Sequence, residues 1–190
     1  MNVVITMNIT FQEIDNNNID YKLIHKWCSN PSVYEWFEQR VLTLEEITNK
    51  YKNKLNNKKQ SLFLIKYNNK EIGLFQIYKY EDDIEIKELD QFHNIYEYDI
   101  FIGEEEYLSK GLGTVIVNKI NNLIYSKYQG DAIVLRPFTR NIRAINCYKK
   151  CNFKFIKEYN GIDTLNNPEK ISVLLHTNNN RSDRDGKILS

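Results

Sequence analysis

Residues 96–128 contain three pieces in succession: "YEYDIFIG", rich in aromatic and β-branched residues, then "YLSKGLGT", then "VIVNKINNLIYSKY". The last places Val115, Val117, Ile120, Leu123 and Ile124 along one side of a helix. A strand that turns through glycines into a helix leaves the first helical amides without intrahelical partners, and the helix dipole favours negative charge there. Such a unit can hold an anion, and it needs both a sheet and a helical layer around it.

The flanking segments fit that requirement. Residues 3–11 alternate as a strand does, and residues 18–29 carry Ile19, Leu23, Ile24 and Trp27 at helical spacing until "NPS" ends the pattern. "TLEE" has the capping-box form, Thr43 with Glu46 three residues on, and opens a second helix. Residues 61–67 and 71–80 form a hairpin about Asn68 and Asn69, a pair that tolerates the positive φ of a tight turn. Downstream come a strand over 131–137, a helix over 141–153, and strands over 153–159 and 170–176. The order β-α-α-β-β-β-α-β-α-β-β, without repeat or internal break, predicts one mixed α/β domain over 1–176. Residues 177–190 read as a polar, disordered tail.

Bulk composition narrows the function classes. A chain of 190 residues that is 42% hydrophobic and 13% aromatic has the material for one folded core. No run approaches the roughly 18 apolar residues of a membrane span, and the N-terminus lacks the pattern of a secretory leader. A net charge of +1 gives no global pull toward nucleic acid or membrane. Cys28, Cys147 and Cys151 form an odd set with no CxxC. Cys147 and Cys151 share a helix face with no histidine nearby, so reduced thiols in a cytoplasmic protein, without a metal, are expected. Local charge is uneven. Residues 80–91 carry Glu81, Asp82, Asp83, Glu85, Glu88 and Asp90 against Lys87, whereas residues 136–143 carry Arg136, Arg140 and Arg143 and no acid. A cation and an anion bound side by side would suit such a chain.

"GLG" matches neither a dinucleotide G-x-G-x-x-G nor a nucleotide P-loop. With "NIRAINCYKKCNF" following it, the chain resembles the GCN5-related N-acetyltransferases, in which a Q/R-x-x-G-x-G/A loop cradles the CoA pyrophosphate. An N-x-x-A-x-x-x-Y-x-K-x-G-F segment then flanks the pantetheine arm. Asn141, Ala144, Tyr148, Lys150 and Phe153 match that segment; Asn152 replaces its glycine and Leu108 replaces the Gln/Arg of the loop. The resemblance implies a single-domain acetyltransferase fold, with a mixed, mostly antiparallel central sheet flanked by about four helices. It implies acetyl-CoA as co-substrate, held by Ser109, Lys110, Gly111, Leu112, Gly113 and Thr114 and by Asn141, Ala144, Tyr148 and Lys150. It also places the thioester along the strand at Ile100, Phe101 and Ile102, where an amide near Ile100 or Phe101 polarises the carbonyl. Tyr148 is the implied proton donor to the departing sulfur.

The stretches "KYNNKEIGLFQIYKY" and "YDIFIGEEEYLSKGLGT" are similar to aminoglycoside 6'-N-acetyltransferases, especially the kind also found fused to an aminoglycoside kinase. That likeness implies a polycationic aminoglycoside as acceptor, with Asp99 as base or orienting carboxylate for its 6'-ammonium. Trp27, Tyr34, Glu35, Asp82, Asp83 and Glu97 are the remaining candidate substrate contacts, with Trp36 as a possible stacking surface; the acidic segment would attract and enclose the cation. One departure is Arg136-Pro137 where Asp-Pro is usual: this arginine is expected to repel the drug, turn toward CoA phosphates or pair with the acidic segment. Acetylation of a protein N-terminus or lysine, and acyl-CoA sensing without turnover, are the competing readings. Oligomeric state is not legible.

Overall fold

The computed structural model describes residues 8–81 and 84–178. The chain runs β1 (Ile9–Glu13), α1 (Tyr21–Cys28), α2 (Pro31–Tyr34), α3 (Leu44–Asn56), β2 (Gln60–Tyr67), β3 (Lys70–Lys79), β4 (Ile95–Ile102), α4 (Leu112–Ser126), β5 (Ala132–Leu135), α5 (Ile142–Lys150), β6 (Lys154–Ile162) and β7 (Pro168–Thr177). The seven strands form one sheet, ordered β1-β2-β3-β4-β5-β7-β6. Every pairing is antiparallel except that of β4 with β5.

Local chemistry sets most of these elements. Thr43 and Glu46 form the complete capping box of α3, each side chain accepting from the other's backbone N–H. Asn68 and Asn69 both adopt positive φ, 48° and 66°, and join β2 to β3. Asn152 is also left-handed, at φ 65°, and ends α5 as the usual glycine would. One helix exceeds the expected four. "NPS" does not only end a helix: Asn30 caps the Ser32 N–H and Pro31 starts α2. The described part of the first strand lies at Ile9–Glu13, and residues 3–7 of the expected strand fall outside the described residues. Thr177 belongs to β7, and most of the expected tail, residues 179–190, also falls outside.

Two cores sandwich the sheet. On one face Ile116, Val117, Ile120 and Ile124 of α4 bury against Ile65, Phe75, Tyr98 and Ile133. On the other, Ile24 and Trp27 of α1 and Ile47 and Tyr51 of α3 pack on Leu62, Leu64 and Leu74. The acidic segment supplies a third cluster: Ile86 and Leu89 are buried on Ala132, Val134, Val173 and Leu175. Its charges therefore ride on an apolar anchor against β5 and β7. Among the described residues no helix is long and apolar enough to cross a membrane.

Two contacts give tests. A Cβ on Gly103 would lie 2.1 Å from Cγ of the fully buried Trp27, so Gly103→Ala should destabilise the fold by about 3 kcal/mol in urea unfolding. His176 on β7 meets the Tyr125 hydroxyl of α4 at 2.6 Å, and burial lowers its pKa below the ordinary histidine value. The unfolded chain then binds this proton more readily than the folded one, so stability should fall as pH drops below about 6.5. The fall between pH 7.5 and 5.5 should shrink in His176→Asn.

Candidate active site

The parallel strands β4 and β5 pair at only two positions, Ile95 with Ala132 and Tyr96 with Ile133. Beyond them β4 stays with β3, but the chain after β5 follows β7: Pro137 O accepts from Ser172 N at 3.0 Å and Thr139 N donates to Lys170 O at 2.7 Å. A wedge opens between the strands. Along β4 alternate residues face β3. Gly103 N–H bonds Ile72 O, so Asp99 and Phe101 share that side, and the backbone groups of Tyr98, Ile100 and Ile102 point into the wedge. Of the two amides expected to polarise a carbonyl, Ile100's faces the opening and Phe101's belongs to the ladder.

The wedge widens into a cleft of about 910 Å³ that runs from Arg136 to the glycine turn. Ser109 and Gly111 have left-handed φ of 59° and 77°, and Gly111 precedes α4 without any side-chain cap. The first amides of α4, at Leu112, Gly113 and Thr114, are therefore left for an anion. Gly111 is needed for its φ. Gly113 is needed for space, since a Cβ there would meet Cys147 Sγ at 3.2 Å. Across the cleft stand Ala144, Cys147, Tyr148 and Lys150 of α5, with Asn141 capping that helix through the Ala144 N–H. Hydrogen bonding from Cys151, helped by Thr114, lowers the Cys147 thiol below the ordinary thiol range. Burial raises the Tyr148 phenol, which keeps its proton at neutral pH. A bent cleft with a phosphate cradle at one end and free strand amides at the other fits acetyl-CoA.

Other expected cofactor residues lie differently. Leu112 is buried in the core, and the Lys110 ammonium lies 5.8 Å from the Tyr107 ring centre; neither side chain lines the cleft.

Asp99 lies where the cleft meets a second, smaller cavity of about 240 Å³. Gln76, its partner across the β3–β4 ladder, donates Nε2 to Asp99 Oδ2, and the Tyr78 hydroxyl lies 3.4 Å from Oδ1. The Gln76 amide is oriented in turn by Lys54 Nζ, which donates to Oε1 at 2.6 Å. The smaller cavity is lined by Tyr34, Trp36, Phe37, Glu38, Lys50 and Lys54, among others. Gln76, Tyr78, Glu38 and the two lysines are absent from the sequence-based site. Gln76 carried a readable signal, a lone amide inside the apolar run "IGLFQIY".

Several expected substrate contacts are corrected. Trp27 is 0% exposed; its Nε1 donates to Glu104 Oε1 and its ring meets Phe101 edge-on, so it supports β4 and lines neither cavity. Glu97 lines the large cleft but is 3% exposed and forms a bidentate pair with Arg136, at 2.7 and 2.8 Å. Arg136 thus joins the two strands at the mouth of the wedge, and its guanidinium lies 5.5 Å from the centre of the Tyr80 ring at the start of the acidic segment. Glu35 pairs with Arg140 at 3.4 Å and lines neither cavity. Asp82 and Asp83 lie outside the described residues, and the described part of the acidic segment lines neither cavity.

Residues 16–160 match the family model described as "Acetyltransferase (GNAT) domain". The chain belongs to the GNAT acetyltransferases. It is an acetyl-CoA-dependent N-acetyltransferase. Among curated relatives, aminoglycoside N(6')-acetyltransferase type 1 of Klebsiella pneumoniae is 24% identical over 148 residues, 71% of this chain and 69% of the relative. Aminoglycoside acetyltransferase AAC(6')-Ib with coenzyme A and kanamycin superposes with a TM-score of 0.73 at 21% identity, covering 90% of this chain and 95% of that one. Spermidine N-acetyltransferase of Vibrio cholerae, with CoA and spermine, gives 0.71 at 17% identity over 89% and 95%. These likenesses show a shared fold.

The ion pair at the wedge gives a further test. Arg136→Met removes the forked partner of the buried Glu97 carboxylate and should cost about 3–5 kcal/mol in urea unfolding. Adding Glu97→Met should recover most of that loss, because an apolar pair replaces a buried ionic one at little cost.

Proposed function

We propose that this acetyltransferase transfers acetyl from acetyl-CoA to the 6'-amine of an aminoglycoside, by direct attack in a ternary complex. The observation that carries this reading is the place of Asp99. Its carboxylate sits at the junction of the two cavities, oriented by Gln76 and Tyr78, beside the strand whose free amides face the cleft. An ammonium entering from the smaller cavity meets that carboxylate first and gives it a proton. The freed amine then attacks the thioester, the Ile100 amide stabilises the developing oxyanion, and the protonated Tyr148 supplies the departing thiolate. The aminoglycoside relatives support this choice of acceptor.

A second reading, a linear polyamine, is favoured by the small size of the cavity, about 240 Å³, which suits a narrow chain. The spermidine acetyltransferase neighbour has the same fold.

Thiol release from acetyl-CoA should be measured with kanamycin, with a 6'-hydroxyl aminoglycoside and with spermine. Rapid release with kanamycin alone, reduced about a hundredfold or more in kcat by Asp99→Asn, is expected. Release with spermine and none with kanamycin would overturn the aminoglycoside reading in favour of the polyamine.

A further inference from the structure

The cavity beside Asp99 already contains amines of the protein's own. Lys50 and Lys54 stand one turn apart on α3, both half-buried and both lining it. They are held differently. Lys50 Nζ contacts the Glu38 carboxylate, whereas Lys54 Nζ donates to a neutral amide oxygen, Gln76 Oε1, at 2.6 Å. That same amide donates to Asp99. Burial is the main cause lowering both lysines, Lys50 to about 8, with the Asp99 charge acting against it at each.

Lys54 therefore combines the features an acceptor amine needs. It lies one amide away from the proposed base. It has a flexible four-carbon stem that can swing once its contact with Gln76 is released. It lines a cavity that shares Asp99 and Phe101 with the cofactor cleft.

We propose that, with acetyl-CoA bound and no acceptor present, the enzyme acetylates its own Lys54. This step rests on the reading of Asp99 as base. The Lys54 ammonium gives a proton to Asp99, and the nitrogen lone pair attacks the thioester carbonyl carbon. The N–C bond forms, the C–S bond breaks, and the thiolate leaves and takes up a proton. One ammonium and one thioester become one neutral amide, one thiol and one proton released to water. The acetylated side chain no longer holds Gln76 as a cation and occupies the space that an acceptor enters.

The test uses the full chain incubated with acetyl-CoA alone, followed by peptide mapping of acetyl occupancy. Lys54 should be labelled at least about tenfold faster than Lys52 and Lys58, which are exposed on the same segment. Asp99→Asn should slow Lys54 about a hundredfold and leave Lys52 and Lys58 unchanged. Lys54→Arg should lose the label from this peptide while Lys52 and Lys58 keep theirs. Equal labelling of Lys54 and the exposed lysines, labelling of Lys50 in its place, or labelling indifferent to Asp99 would overturn the proposal. Thiol release with kanamycin is followed in a parallel sample. Turnover without a Lys54 label overturns self-acetylation alone; a Lys54 label without turnover overturns the aminoglycoside reading alone.

Discussion

The parting of β4 from β5 is the constraint on which the rest of the molecule depends. Two parallel pairs hold the strands together, and beyond them the strands diverge. The backbone that follows β5 pairs with β7. The free edge of β4 would be a liability on an ordinary sheet. Here it becomes the wall of a cleft, with unpaired amides on display. The gap keeps its width because Arg136 and Glu97 tie the two strands at its mouth through a forked ion pair.

Electrostatics around the site are largely self-contained. Glu97 has Arg136, Glu38 has Lys50, Glu104 has Lys26, and Glu35 and Glu169 share Arg140. Asp99 is held by an amide and a phenol, and its charge acts on Lys50 and Lys54 across the smaller cavity.

Much of this architecture was legible in the chain because its determinants are short-range. The capping box at Thr43, the asparagine pair at the hairpin tip and the left-handed Asn152 each follow from a few adjacent residues. So does the glycine turn before α4, whose φ values carry the cradle. What was not legible depends on partners far away in sequence. Nothing near Arg136 says that its carboxylate is Glu97, and nothing near Trp27 says that it lies against Gly103. The acidic segment misled for a different reason. Its charges outnumber its anchors, yet Ile86 and Leu89 decide where it sits. On α3, "NKYKNK" reads as a solvated lysine face, while Lys50 and Lys54 turn inward beside Asp99.

The position of β7 in the sheet has a kinetic consequence. It lies between β5 and β6, so the last of the described strands is an interior one. Until residues 168–177 leave the ribosome, β5 has only its two pairs to β4, and β6 has no neighbour at all. The first four strands and α3 can assemble early from nearby pieces of chain, but the wedge acquires its second wall only once β7 has been made. The half that carries Asp99 can thus be folded before β7 exists.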